Sequence, residues 1–335
     1  MCKQNDYNNV ADNIKVTIIT TTFNLIKNKR EKFFIRNLKS VHNQTYKNIE
    51  HIIIDGASSD GTLEILKKYQ TKGWIKYYSE PDAGIYDAMN KSLNYASGKY
   101  INFLNSDDYF YNNKAVEKSI HTLENNNADY SYGNACILDD GFDSLWIGNE
   151  NFLLIGTHYN HQTMFLKTDI LKKFGGFDTN YKISADSDLE IKLFKNKYKS
   201  VYVDSIIAGY QCGGISGTHI NEVRKEHSIS YYINIGEKYN LSLQNCYDLW
   251  QFSFIKELPL NKQLLLLNKI PEKLGSKEIF EEYVRKNYTK SKSIKIKKYI
   301  KLFNFIPIMK KTSTSNVKKY YLFSFIPIYK KKKLI

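Results

Sequence analysis

The chain has 335 residues, 42% hydrophobic and 25% charged, enough to bury a full core around one large α/β domain with a smaller appendage. Its four cysteines, Cys2, Cys136, Cys212 and Cys246, form no CxxC pair, which argues against a zinc site or a disulfide framework and for a reducing cytoplasm. The net charge of +15 is concentrated at one end: residues 285–335 hold 16 Lys and Arg and no acid, while the other 284 residues hold 33 basic and 34 acidic side chains.

In chain order, residues 1–13 form a polar leader without the apolar centre of a signal peptide. Apolar, β-rich runs follow at Val16–Phe23, Ile49–Ile54, Ile75–Tyr78 and Tyr100–Leu104, separated by helical-period stretches at 30–43, 61–72, 84–97 and 114–126. Further strands are expected at Ala128–Leu138 and Ser200–Tyr210, with helices at Thr168–Phe174 and Ser187–Lys197. Strands alternating with helices of this length predict βαβ units and a mostly parallel, Rossmann-like sheet flanked by helices. That domain is expected to span 14–218, with a small helical extension over 219–290 and a basic, aromatic tail over 291–335. The tail repeats itself: KKYIKLFNFIPI at Lys297–Ile308 returns as KKYYLFSFIPI at Lys318–Ile328. No run of about 18 apolar residues occurs anywhere in the chain, so no segment is expected to span a membrane.

In an open parallel sheet, ligands bind outside the carboxyl ends of the strands, where the strand order reverses. Three polar clusters fall at such ends: Thr20-Thr21-Thr22-Phe23-Asn24, Asp55 through Thr62, and Asn105-Ser106-Asp107-Asp108. Adjacent carboxylates closing an apolar strand repel each other unless a cation neutralises them, and Mg²⁺ or Mn²⁺ held by Asp107, Asp108 and substrate phosphates meets that need. A turn or helix cap before Lys114 is the plainer alternative. Asp55, at the last strand position, can accept a hydrogen bond from a base imide, whereas Ser59 or Asp60 suits the cap of the next helix.

TIITTTFN, QTYKNIEHIIIDGASSDGT, SEPDAGIYDAMNKSLNYASGKYINFLNSDDYF and GGFDTNYKISADSDLEIKL, in this order, resemble glycosyltransferase family 2, the inverting enzymes of GT-A fold. The resemblance runs from about Lys15 to Ser216. It implies transfer of a sugar from a nucleotide diphosphate sugar, most commonly a UDP-sugar, to an acceptor hydroxyl. Bacterial polysaccharide, lipooligosaccharide or lipid-linked glycan is the implied product. Thr20, Thr21, Thr22, Asn24 and Asp55 would hold the nucleotide, Asp107 would contact ribose or metal, and Asp108 would bind the metal. Asp82, Gly84, Tyr86, Asp87, Asn90 and Lys91 would lie beside the donor. Asn105 departs from the Asp often found there, leaving the metal to Asp107 and Asp108.

Asp186 matches the family's catalytic base; Asp188 is a lesser candidate, and either Asp also suits a helix cap. His158 and His161, three apart, offer only two metal ligands with no helical pattern to align them, so His161 and Gln162 read as acceptor-side or packing residues. His219, after a glycine-rich stretch, reads as a surface histidine or a metal ligand on a closing loop. The tail reads as peripheral attachment to an anionic membrane surface, on the inner face of the plasma membrane, or as a solvated extension. Nucleic-acid binding is disfavoured because no binding fold accompanies the charge. Two rival functions are a non-catalytic nucleotide-sugar or carbohydrate-binding module, opposed by the joint presence of Asp55, Asp107, Asp108 and Asp186, and a sugar-nucleotide pyrophosphorylase. The latter needs a glycine-rich loop where this chain has TTTFNLIKNKR.

Overall fold

Apolar, β-branched runs build the first half of the molecule. Strand β1 (Val16–Thr22) pairs in parallel with β2 (Ile49–Asp55) on one side and with β4 (Tyr100–Phe103) on the other, and β2 pairs in parallel with β3 (Lys76–Ser79). This is a computed structural model that describes residues 13–139, 142–150, 153 and 159–250. The polar leader up to residue 12, His158, the extension past 250 and the basic tail lie outside the described residues.

Among the described residues the sheet has nine strands in the order β3-β2-β1-β4-β8-β6-β9-β5, with β7 hydrogen-bonded to β6. Chain order therefore reverses between β1 and β4, the switch point at which α/β sheets bind ligands. Beyond β4 the sheet is mixed. β8 (Phe165–Lys167) runs antiparallel to β4 and β6 (Tyr130–Asp139), β5 (Tyr109–Phe110) runs antiparallel to β9 (Ser200–Gln211), and β7 (Phe142–Trp146) runs antiparallel to β6. β6 and β9 are parallel, with a register shift around Asn134. The expected α/β class holds: a curled sheet, parallel from β3 to β4 and mixed beyond, between layers of helices.

Each face is covered for a reason visible in the side chains. Helix α1 (Glu31–His42) buries Phe34, Leu38 and Val41 at helical spacing, and α2 (Thr62–Thr71) adds Leu66, on the face carrying Ile53, Val16 and Ile18. Helix α4 (Ala115–Asn126) contributes Val116, Ile120 and Leu123 to that face. The opposite face of β1, β2 and β4 (Ile19, Ile52, Ile54, Ile101, Phe103) receives Tyr86 and Met89 of α3 (Ile85–Ser92). It also receives α5 (Thr168–Lys173) and Leu189 and Leu193 of α6 (Ala185–Lys195).

Two expected boundaries shift. The helix expected over 84–97 ends at Ser92, because Leu93, Asn94 and Tyr95 bond back three residues to Asn90, Lys91 and Ser92 and tighten the last turn. The helix expected to begin at Ser187 begins at Ala185, so Asp186 lies in its first turn rather than before it. The cause is remote. Glu226 of α8 (Ile220–Tyr231), which follows the short α7 (Ile215–Thr218), accepts the backbone N–H groups of Lys182, Ile183 and Ser184 at 2.9, 2.9 and 3.0 Å, ordering the approach to the helix.

Candidate active site

The carboxyl ends of β1, β2 and β3 are tied together by one buried carboxylate. Asp55 Oδ1 accepts from Thr22 Oγ1 at 3.0 Å and Ser58 Oγ at 2.6 Å, and Oδ2 accepts from the Ser58 N–H and Ser79 Oγ, both at 2.8 Å. The two oxygens of Asp55 thus accept from four donors. Asn24 joins the same knot in the left-handed region (φ 47°), its N–H donating to Ser58 Oγ and its Oδ1 accepting from the Ser59 N–H. Asp60 Oδ1 accepts from the N–H and hydroxyl of Thr62, which opens α2. Thr21 is half-buried. Thr20 faces the interior, donating to the Leu104 carbonyl at 2.7 Å and lying 3.0 Å from His51 Nε2.

Asp82 leans over this knot. A Cβ on Gly56 would sit 2.5 Å from Asp82 Oδ2 and 3.2 Å from Phe23 Cδ2, so only glycine lets both side chains close over that backbone. Asp82 Oδ1 accepts from the Gly84 N–H at 3.0 Å, Gly84 turns with φ 129°, and Asp87 Oδ2 accepts from the Ala83 N–H at 2.9 Å. Lys91 pairs with Asp87 and reaches the Pro81 carbonyl. Asn90 looks the other way, exchanging hydrogen bonds with the backbone of Phe177 at 2.7 and 2.8 Å.

The loop after β4 carries the acidic pair. Asp107 Oδ2 lies 2.7 Å from Arg30 Nη1, and Arg30 Nη2 donates to the Gly213 carbonyl at 3.0 Å. Asp108 is buried, its Oδ1 accepting from the Gln211 N–H at 2.9 Å and its Oδ2 from Gln162 Nε2 at 2.7 Å. Burial, then the charge of Asp107, pushes the Asp108 carboxyl up to about 7. Burial also raises Asp107, against the pull of Arg30. Helix α1 holds this loop: Asn37 Nδ2 lies 3.0 Å from the Asn105 carbonyl and 3.1 Å from the Asp108 carbonyl, and Arg36 donates to the Asp107 carbonyl at 2.8 Å. Buried Asp108 and partly exposed Asp107 are neighbouring hard oxygen donors, which fits a divalent cation that takes its remaining ligands from phosphate and water. Among the described residues no group of three or more His, Cys, Asp and Glu side chains gathers to form a metal site from protein alone.

Asp186 stands across from this loop. Its Oδ2 lies 2.8 Å from His161 Nδ1, and its Oδ1 lies 2.9 Å from the Tyr86 hydroxyl, which also lies 2.7 Å from the Ile183 carbonyl. One turn of 3₁₀ helix, His161–Thr163, thus touches both acidic groups, His161 on Asp186 and Gln162 on Asp108. Asp188 belongs elsewhere: it is buried, accepts from Ser230 of α8 and from Asn234 just past it, and pairs with Lys192 at 2.6 Å, fastening α6 to α8. His219 is exposed, its Nδ1 2.9 Å from Thr218 Oγ1.

Sequence reasoning did not find Arg30, Asn37 or Glu226. Asn37 had a signal, a polar residue on the apolar stripe of α1 between Phe34 and Leu38. Arg30 and Glu226 had none, since their partners are distant in the chain.

The family model described as "Glycosyl transferase family 2" matches residues 17–181. An uncharacterized glycosyltransferase of Mycobacterium tuberculosis is 31% identical over 183 residues, covering 53% of this chain and 68% of that one. A PGL/p-HBAD biosynthesis glycosyltransferase of the same species is 28% identical over 192 residues, 55% of this chain and 74% of that one. Among solved structures, S. aureus TarS 1-349 in complex with UDP-GlcNAc superposes with a TM-score of 0.57 at 17% identity, over 83% of this chain and 92% of that one. Mannosyltransferase PcManGT from Pyrobaculum calidifontis, in complex with GDP-Man and Mn²⁺, does so with a TM-score of 0.54 at 14% identity, over 84% and 76%. With the family model matching over 17–181 and a glycosyltransferase 31% identical over 68% of its length, the chain belongs to glycosyl transferase family 2 and is a glycosyltransferase.

Proposed function

We propose that the protein moves a sugar, with inversion, from a nucleotide diphosphate sugar to an acceptor hydroxyl, with Asp186 as the base. One observation carries this reading: the His161–Thr163 turn brings Asp186 and the Asp107–Asp108 loop to a single site at the switch point. The knot of Thr22, Asn24 and Asp55 frames the nucleobase end of that site, with Asp82, Gly84 and Asp87 beside it. A UDP donor is supported by the family pattern and by the TarS complex with UDP-GlcNAc, and a metal by the PcManGT complex with Mn²⁺.

Asp107 and Asp108 would hold Mg²⁺ or Mn²⁺, which when bound stabilises charge on the departing diphosphate. Asp186 accepts the proton of the hydroxyl as its oxygen attacks the anomeric carbon, and the nucleoside diphosphate leaves from the opposite face. Pairing with His161 and Tyr86 keeps Asp186 ionised, overcoming the cost of burial.

The acceptor is a bacterial surface glycan or a lipid-linked precursor. The 16 cations of 285–335 support reversible attachment to anionic lipid at the inner face of the plasma membrane, at roughly 1 kcal/mol per lysine. No helix among the described residues is long and apolar enough to cross a membrane.

The test incubates the protein with Mn²⁺ and a panel of UDP- and GDP-sugars and follows release of the nucleoside diphosphate. Asp186→Asn is expected to keep donor binding and to lose turnover by about 10²- to 10⁴-fold. Near-normal turnover in that variant rejects the assignment.

A further inference from the structure

Both oxygens of Asp186 are held. An ionised carboxylate only accepts hydrogen bonds, so His161 Nδ1, 2.8 Å from Oδ2, must carry a proton, while the single proton of the Tyr86 hydroxyl is shared between Oδ1 at 2.9 Å and the Ile183 carbonyl at 2.7 Å. The other ring nitrogen, Nε2, faces Asn105 Nδ2 at 3.4 Å. The proton on Nδ1 is therefore fixed by Asp186, and the Asn105 amide can meet Nε2 with either its nitrogen or its oxygen, which otherwise has no partner among the described residues. The ring is fixed from below as well. Thr163 Oγ1 donates to the Asn160 carbonyl at 2.8 Å, the Met164 N–H donates to the His161 carbonyl at 3.0 Å, and Gln162 is anchored on Asp108. The His161 and Asp186 side chains are 18% and 22% exposed, so the pair lies at the edge of the interior, where a substrate can reach it.

We propose that His161 is a positioning residue for the transfer: with Tyr86 it fixes both oxygens of Asp186 and leaves the remaining lone pairs of the carboxylate aimed in one direction, toward the incoming hydroxyl. The proposal rests on the reading of Asp186 as base. Because His161 and Gln162 are adjacent, the turn that orients the base also holds Asp108, so the two acidic groups keep a fixed separation.

The electrostatics agree. Burial alone disfavours charge on both partners, yet their pairing outweighs it, lifting His161 above the ordinary imidazole range and holding Asp186 below the ordinary carboxylate range. The other charged or titratable groups bearing on the pair are Glu190 on α6, Asp108 after β4 and Tyr86 on α3, with Glu226 of α8 bearing on Tyr86. All of the acids among them favour a protonated ring.

The test has one arm that needs no donor. In ¹⁵N-histidine-labelled protein, the His161 resonances are identified by their loss in His161→Gln. In the wild type they should report the Nδ1–H tautomer in the neutral ring and titrate above pH 6.5, and in Asp186→Asn the titration should fall by about one pH unit or more. Coincident titrations in the two proteins overturn the proposal.

The second arm measures release of nucleoside diphosphate from UDP-GlcNAc and GDP-mannose with Mn²⁺, across pH, for proteins of matched melting temperature. Gln can still donate to Asp186 but carries no charge. His161→Gln should therefore lower kcat by about 10- to 100-fold with little change in donor KM, and should move the acid limb of kcat to higher pH. Wild-type kcat and an unmoved limb in His161→Gln, alongside an inactive Asp186→Asn, remove the role of His161 and leave the base in place. An active Asp186→Asn removes the base assignment itself, and the role proposed for His161 with it.

Discussion

Glu226 offers a direct test of how a helix outside the family-matched segment supports the base. Its carboxylate collects three backbone N–H groups from the chain entering α6, at 2.9 to 3.0 Å. The Lys182 bond is exposed, whereas the Ile183 and Ser184 bonds are partly shielded from water. Hydrogen bonds to a charged acceptor contribute about 1.5–3 kcal/mol each when buried. Counting the two shielded bonds, and halving for rehydration of the freed N–H groups, Glu226→Ala should cost about 1.5–3 kcal/mol. With a urea slope of about 2 kcal/mol/M, that lowers the midpoint by roughly 0.8–1.5 M at unchanged slope. Glu226→Gln keeps one acceptor oxygen and should lose about half as much. Turnover should fall in the alanine variant, because the Ile183 carbonyl that meets Tyr86 lies in the same loosened segment. An alanine variant that unfolds within about 0.5 kcal/mol of the wild type, below the single-bond contribution, refutes this account of α6.

Two further outcomes follow from buried polar groups. Asn37→Leu removes the donors to the Asn105 and Asp108 carbonyls and should cost about 2–4 kcal/mol in denaturant unfolding; it should also weaken Mn²⁺ binding measured by calorimetry. An unchanged unfolding midpoint would show that the loop after β4 does not depend on α1. His51, held neutral by burial with its pKa lowered from 6.5 to about 3, binds a proton more readily in the unfolded chain. Its contribution is therefore complete above pH 6.5 and is lost as pH falls toward 3, by about 2 kcal/mol at pH 5. His51→Gln should be less sensitive than the wild type to a change from pH 7 to pH 5, and equal losses in the two proteins contradict the assignment.

Much of the fold was legible before any coordinates. The alternation of buried strands and amphipathic helices from β1 to α4 is written in local periodicity, because a strand buried on both faces and a helix buried on one select different spacings of apolar residues. The acidic clusters were legible for a related reason: a carboxylate directly after a buried strand has few uses other than binding or capping, so Asp55, Asp107 and Asp108 stood out. The short elements did not. β5 has two residues and β8 three, too few for any period to register, and the antiparallel half of the sheet rests on them.

What the amino-acid order determined by itself was which groups stand at the strand ends, since that depends on neighbours within one element. Only the tertiary structure decided what those groups meet. Gln162 reaches Asp108 across 54 positions, Ile183 reaches Glu226 across 43, and Gln211 reaches Asp108 across 103. Such contacts arise from packing of whole helices and strands and leave no periodic trace in the chain. His161 shows the difference: in the chain it reads with Gln162 as an acceptor-side or packing residue, whereas folding sets it against Asp186.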